Sequence, residues 1–269
     1  MAEKIYDRAF LPTDGTLEKC ADFIAIVRQL RRDCPWDREQ THESIRHLLI
    51  EECYEAVDAI DRGDLQELKR ELGDLFLHVI FNAVIAEQDG SFNLDDILES
   101  ESEKLIRRHP HVFGDTSVSG TDEVLKNWEA IKLEEGRRSS VLDGVPSQLP
   151  SLLRSYRIQE KVAGVGFDFD SPAAAWKKVE EELGEFAEAQ SGGDRAHVES
   201  ELGDVFFALV NFARLSGWNP ENALRETNNK FSDRFKFIER SVADSGKRLS
   251  DLTLEEMDVF WDAAKEAGL

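Results

Sequence analysis

Long apolar runs are missing from this 269-residue chain, and none approaches the ~20 residues that a membrane-spanning helix needs. Cysteine is scarce. Cys20, Cys34 and Cys53 are odd in number, confined to the first half and not in metal-ligand spacing, which excludes a disulfide framework and a zinc site. Positive charge is in short supply, with 33 Lys and Arg against 55 Asp and Glu, a net charge of −22. Such a surface repels nucleic acid polymers and anionic membranes, so neither is an expected partner. A polyphosphate could be held only where metal ions and a few placed cations reverse the field locally. Residues 1–12 are charged throughout and lack the apolar segment of a secretory signal, so the expected compartment is the cytoplasm.

What the chain has is one acidic signature written twice. Glu51-Glu52-x-x-Glu55 is followed by Glu71-Leu72-Gly73-Asp74, and Glu181-Glu182-x-x-Glu185 by Glu201-Leu202-Gly203-Asp204. Every member is displaced by the same 130 positions (182−52, 185−55, 201−71, 204−74). The chain is therefore a duplication. Two copies fall short of a solenoid, which needs at least about three stacked repeats.

Strand-like alternation is rare, while apolar residues recur at three and four, as in Phe23, Ile26, Val27 and Leu30. That is the period of amphipathic helices, and it predicts an all-α fold. Thr41 and Ser171 are the expected N-caps of the two acidic helices. Gly63-Asp64 and Gly193-Asp194 are expected to break each copy into a helical hairpin. Beyond the hairpins the repeat slips by four: Asn93, Leu98, Lys104 and Arg108 match Asn219, Leu224, Lys230 and Arg234 at an offset of 126 (219−93). The indel falls at the turn 88–91, where a length change between helices costs little. The Pro- and Gly-rich stretch ending in Pro150 is the expected linker, which places an N-terminal unit at 16–136, a linker at 137–150 and a C-terminal unit at 151–266.

Glu52 and Glu55 lie one turn apart on one helical face, as do Glu71 and Asp74, and a hairpin can aim all four carboxylates at one point. Clustered carboxylates repel unless a cation offsets their charge. An all-oxygen ligand set suits Mg²⁺, with Mn²⁺ as the alternative, and Mg²⁺ commonly completes its shell with water and phosphate oxygens. The apolar stretches 72–84 and 202–213 are expected to be deeply buried, with Gly73 and Gly203 marking close helix approach. A di-iron bundle wants Glu-x-x-His on two helices. The only match, Glu39-x-x-His42, precedes the acidic helix and is not repeated.

Cations and aromatics repeat as well. Lys230 and Arg234 sit at i,i+4 as Lys104 and Arg108 do, and Trp261-x-x-x-Lys265 repeats Trp128-x-x-x-Lys132. Lys and Arg neutralise phosphate oxygens, and a Trp face stacks a base. Trp36, Trp176 and Trp218 lack such company and are expected to serve packing.

The E-E-x-x-E followed by E-x-x-D resembles the all-α nucleoside triphosphate pyrophosphohydrolases of the MazG type. The stretch Arg107-Arg108-His109-Pro110-His111-Val112-Phe113-Gly114 and the tandem arrangement narrow the likeness to the two-domain bacterial members. The resemblance covers roughly 16–266. It implies tandem four-helix-bundle-like units, a homodimer, and Mg²⁺-dependent hydrolysis of a nucleoside triphosphate to monophosphate and pyrophosphate with broad base specificity. Carried onto this sequence, it implies metal ligands Glu182, Glu185, Glu201 and Asp204 and nucleotide contacts Lys178, Lys230, Arg234, Trp261 and Lys265. Glu181, beside the ligand stripe, is the expected general base.

The family pattern makes the C-terminal copy the working one. Glu52, Glu55, Glu71, Asp74, Lys104, Arg108, Trp128 and Lys132 nonetheless keep the same groups as a second site. The visible departure is at Lys177-Lys178, where the first copy has leucines, Leu48 and Leu49, at about the same place. Alternatives are a house-cleaning hydrolase of non-canonical or deoxy nucleotides, the related phosphoribosyl-ATP hydrolase, and a nucleotide-sensing regulatory protein without turnover.

Overall fold

Local capping chemistry sets the helix ends. In the computed structural model, which describes residues 6–7, 10–121, 123–124, 127–128, 131 and 140–269, the Thr41 side chain accepts from Ser44 N at 3.2 Å and Ser171 accepts from Ala174 N at 3.2 Å. These open helices α3 (His42–Arg62) and α8 (Pro172–Gly192). Both end on a left-handed glycine, Gly63 at φ 66° and Gly193 at φ 77°, a conformation that a β-carbon opposes. The next residue caps the return helix: Asp64 opens α4 (Leu65–Gln88) and Asp194 opens α9 (Arg195–Leu215). The two predicted hairpins are therefore present, and their turns are built from the predicted residues.

The chain separates into two compact units, Met1–Lys132 and Leu133–Leu269. In the first, α1 (Asp14–Asp33) packs on α4 and on the short α2 (Pro35–Glu39), and α4 packs on α3 and α5 (Leu94–Arg108), which leads to α6 (Pro110–Phe113). Its core is Val27, Ile45, Ile80, Phe81, Val84 and Ile85, with Phe23, Ile24, Leu48, Leu77 and Leu94 packed around them. In the second, α7 (Ser151–Ala163) packs on α9 and on α10 (Pro220–Asp244), α8 pairs along α9, and α11 (Leu254–Glu266) lies on α10. Asn93 and Asn219 cap α5 and α10, at the shifted offset. The fold is all-α, and among the described residues there is no strand.

The segment 140–150 is turn and coil, and its Val141 and Asp143 carbonyls accept from Lys161 Nζ on α7 at 3.2 and 3.1 Å. The three cysteines are free thiols. No helix among the described residues is long and apolar enough to cross a membrane.

Two packing expectations need correction. The stretches 72–84 and 202–213 are not deeply buried all round: Leu72, Phe76 and Val79, and likewise Leu202, Phe206, Phe207 and Leu209, are exposed. The period of the pattern places one stripe in the core, and the surplus apolar residues form a second stripe that the chain leaves open. Nor do Gly73 and Gly203 mark a close approach, because a β-carbon at either would meet nothing within 4 Å. Of the three tryptophans expected to serve packing, Trp176 and Trp218 both meet Phe212 edge-on, with centroids at 4.9 and 5.8 Å, yet Trp218, like Trp36, is largely exposed.

Candidate functional site

Each hairpin brings its carboxylates together. In the second unit Glu182 projects from α8, and Glu201 and Asp204 project from the first turns of α9. One carboxylate oxygen from each lies within 4.8 Å of the others. Glu182 is only 7% exposed. Lys178 Nζ, one turn earlier on α8, lies 2.6 Å from Glu181 Oε1 and 2.7 Å from Glu182 Oε1, and this double pairing raises its pKa above the usual lysine value. The predicted base Glu181 is thus joined to the predicted phosphate contact Lys178. Glu185 stands outside the tight group of three. Burial, and then the neighbouring Glu182 carboxylate, raise its pKa, with Lys178 opposing. His197 Nδ1 approaches Glu201 Oε1 at 3.4 Å, a contact the sequence reading did not anticipate.

In the first unit the group is Glu52, Glu55 and Glu71, again within 4.8 Å. Glu71 is 5% exposed, and burial followed by the charge of Glu55 pushes its pKa to about 7. Burial and then Asp74 raise that of Glu52, which places Asp74 beside the group. His78 was missed as a neighbour. It lies four residues beyond Asp74 on the same face of α4, its charge acts on Glu52, and its buried Nδ1 has no hydrogen-bond partner. The signal was the i,i+4 spacing, obscured because the second copy has Ala208 there.

The second group opens into a cavity of about 480 Å³. Lys178, Glu182 and Asp204 line one part of it. Ile158, Gln159 and Val162 of α7 line another, with the loop Gly166–Phe169 and Phe207, Ala208, Asn211 and Arg214 of α9 completing the wall. Among the described lining residues, Lys230, Arg234, Trp261 and Lys265 do not appear. They lie on α10 and α11, where the Arg234 guanidinium sits 5.3 Å from the Trp261 ring and donates from Nε to the Leu269 carbonyl at 2.8 Å, and Lys265 Nζ pairs with Asp262 at 2.9 Å.

In the first copy Lys104 pairs with Glu101. Arg108 closes α5 beside Arg107, where positive charge meets the negative helix end. Trp128 is half-buried, and Lys132 lies outside the described residues. Read at the strict offset, Lys178 corresponds to Leu48 (178−130), a core residue, and Lys177 to His47 rather than to a leucine.

Converging carboxylates, a paired lysine and an adjoining cavity on a helical hairpin make this the candidate site. Comparison with known proteins agrees. The MazG nucleotide pyrophosphohydrolase domain matches residues 40–113 and again 170–238. The chain is 42% identical over 248 residues to a Thermotoga maritima nucleoside triphosphate pyrophosphohydrolase/pyrophosphatase MazG, covering 91% of this chain and 94% of that protein. It is 43% identical over 250 residues to the Escherichia coli K12 nucleoside triphosphate pyrophosphohydrolase, covering 90% and 95%. A MazG-related protein structure from Thermotoga maritima aligns over 42% of this chain and 98% of its own, with 26% identity and a TM-score of 0.38. The chain belongs to the MazG nucleotide pyrophosphohydrolase family and is an enzyme of that kind.

Proposed function

We propose that the chain hydrolyses nucleoside triphosphates to monophosphate and pyrophosphate in a Mg²⁺-dependent reaction of broad base tolerance, working in the C-terminal unit. The observation that carries this reading is the contact between the Glu182, Glu201 and Asp204 group and a cavity of nucleoside size that Lys178 also lines. The first unit has the carboxylates but a leucine in place of that lysine.

The donor set fits a hard divalent cation. It is all oxygen, it converges within 4.8 Å, and burial, with the Glu182 and Glu201 carboxylates adding to it, raises the pKa of Glu185 beside it. Glu182, Glu201 and Asp204, with Glu185 beside them, would hold the ion; Mn²⁺ suits the same ligands. When bound, the ion supplies charge to the triphosphate oxygens and acidifies nearby water.

The chain's own groups do the rest. Lys178 turns from its carboxylates to donate to a phosphate oxygen. Glu181 accepts the proton of the attacking water as that oxygen bonds to the α-phosphorus and the bridging oxygen leaves with pyrophosphate. Lys230, Arg234, Trp261 and Lys265 are proposed as further nucleotide contacts on the strength of the repeat and the family likeness.

The same reading takes 16–136 and 151–266 as two MazG-like units and 137–150 as their connection. It takes the active form as a homodimer, because the open apolar stripe Leu202, Phe206 and Leu209 on α9, with Leu183 on α8, is more than a lone helical hairpin leaves in water. The protein is expected in the cytoplasm.

The test is product analysis with ATP and Mg²⁺ for the wild type, Glu182→Ala and Glu52→Ala. AMP and pyrophosphate from the wild type and Glu52→Ala, with none from Glu182→Ala, is the expected result. Orthophosphate as the product would overturn the reaction, and full activity in Glu182→Ala would overturn the choice of copy.

A further inference from the structure

The cavity beside the C-terminal carboxylates extends well beyond them, and the residues at its far side are unlike a hydrophobic core. Arg214 side-chain atoms are 11% exposed. The guanidinium donates to Asn211 Oδ1 from Nε at 3.1 Å and from Nη2 at 2.7 Å, and Nη2 also reaches Asp168 Oδ1. A guanidinium carries only donors, so the amide oxygen must be the atom it meets. Asn211 lines the cavity, and the function its amide has left is the Nδ2 donor. Phe167, in the loop between α7 and α8, lines the same cavity and is 79% exposed. An aromatic ring held open to solvent loses the burial that would normally place it in a core.

The other half of the molecule supplies a comparison within the same chain. Positions 208, 211 and 214 correspond to His78, Phe81 and Val84 (208−130, 211−130, 214−130). All three are buried, and Phe81 and Val84 belong to the apolar core together with Leu48, the counterpart of Lys178. The hairpin register therefore accepts Phe and Val at these positions and packs them well. Asn211 and Arg214 are not demanded by the fold.

We infer that the 480 Å³ cavity is the nucleoside end of the C-terminal site, in which Phe167 stacks the base and Asn211, held by Arg214 and Asp168, donates Nδ2–H to an acceptor on the base edge. This rests on the hydrolytic reading above. It also supplies a physical reason for broad base tolerance. Each common base offers an acceptor on its edge, O6 or N7 of guanine, N7 or N3 of adenine, and a carbonyl of either pyrimidine. Every base also has a π face, so a stack plus a single donor holds the nucleoside without sorting it. Arg214 and Asp168 are positioning residues here, because they act through the amide.

The experiment measures steady-state KM and kcat for ATP, GTP, CTP and UTP with the Mg²⁺-loaded full chain, and the inhibition constant of inorganic tripolyphosphate, which has no nucleoside. For Phe167→Ala, at an exposed loop position where folding is not at stake, KM rises for all four nucleotides by roughly five- to a hundredfold, the loss of one aromatic stack. Phe167→Trp restores it. For Asn211→Asp, which keeps the acceptor for Arg214 but removes the donor, KM also rises for all four. In each variant kcat and tripolyphosphate inhibition stay as in the wild type, as the loss of uniform binding requires. Unchanged KM in Phe167→Ala, wild-type KM in Asn211→Asp, or a parallel loss of tripolyphosphate inhibition would each overturn the inference. Failure of the hydrolytic reading shows separately, as wild-type protein that releases no pyrophosphate.

Discussion

Lys178 and Glu182 form an ion pair at 2.7 Å, one turn apart on α8, with the carboxylate nearly buried and the ammonium at the mouth of the cavity. The pair gives the resting site one positive charge among four or five negative ones. Its counterpart at the same register of the first hairpin is Leu48, one turn before Glu52, and that aliphatic side chain packs against the core.

Lys178→Met keeps the length of the side chain and removes the charge. A charge-assisted hydrogen bond contributes about 1.5–3 kcal/mol, so KM for ATP is expected to rise by roughly ten- to a hundredfold. Steady-state kinetics at saturating Mg²⁺ measures it, and an unchanged KM would remove Lys178 from the phosphate contacts.

Acid titration reads the buried carboxyl of the first copy. In the metal-free first unit the Glu71 carboxyl is raised from 4.5 to about 7, so the folded state binds its proton more tightly than the unfolded state does. The stability this contributes is fully present below pH 4.5 and is lost as pH rises through about 7. With chelator present, the melting temperature of wild type should therefore fall across that window. Glu71→Gln should flatten the fall, and added Mg²⁺ should restore stability more at pH 8 than at pH 5.5. A melting curve in chelator that rises from pH 5 to pH 8 would be the opposite sign.

Gly73→Ala and Gly203→Ala place a methyl group in open space inside helices. Each is expected to stabilise the chain by ~1 kcal/mol through helix propensity, a rise of ~2–4 °C in melting temperature for a domain of this size. A marked loss of stability instead would mean that another chain's backbone lies against these glycines in solution.

The open stripe on α9 has its own test. Sedimentation of the wild type at twice the 30.5 kDa chain mass, with Phe206→Glu at the single mass and similar helicity by circular dichroism, is the expected pair of results. A wild type at the single mass would dispose of the homodimer.

Much of the fold was legible because the signals were local. Thr41 and Ser171 cap through their own hydroxyls, Gly63 and Gly193 end helices through their own φ, and Glu182, Glu201 and Asp204 converge because two short helical spacings are joined by a tight hairpin. The apolar stretches 72–84 and 202–213 were misjudged for the complementary reason. A hydrophobic pattern states which residues avoid water but not whether the same chain supplies the cover, and Phe76 and Phe206 remain exposed.

The sequence by itself determined the duplication, the helical hairpins and the pair of carboxylate sets, since backbone propensity and a 3.6-residue period act within a few turns. Only the tertiary structure placed the second set beside a cavity. That depends on α7 and the loop carrying Phe167 meeting the Asn211 and Arg214 face of α9 in one unit, while Phe81 and Val84 fill the matching face in the other. The repeat that made the two sites look alike lies on the helices they share. The difference between them lies in a few substitutions on those helices, Lys178 for Leu48, Asn211 for Phe81 and Arg214 for Val84, and in what packs across them, which leaves no periodic trace.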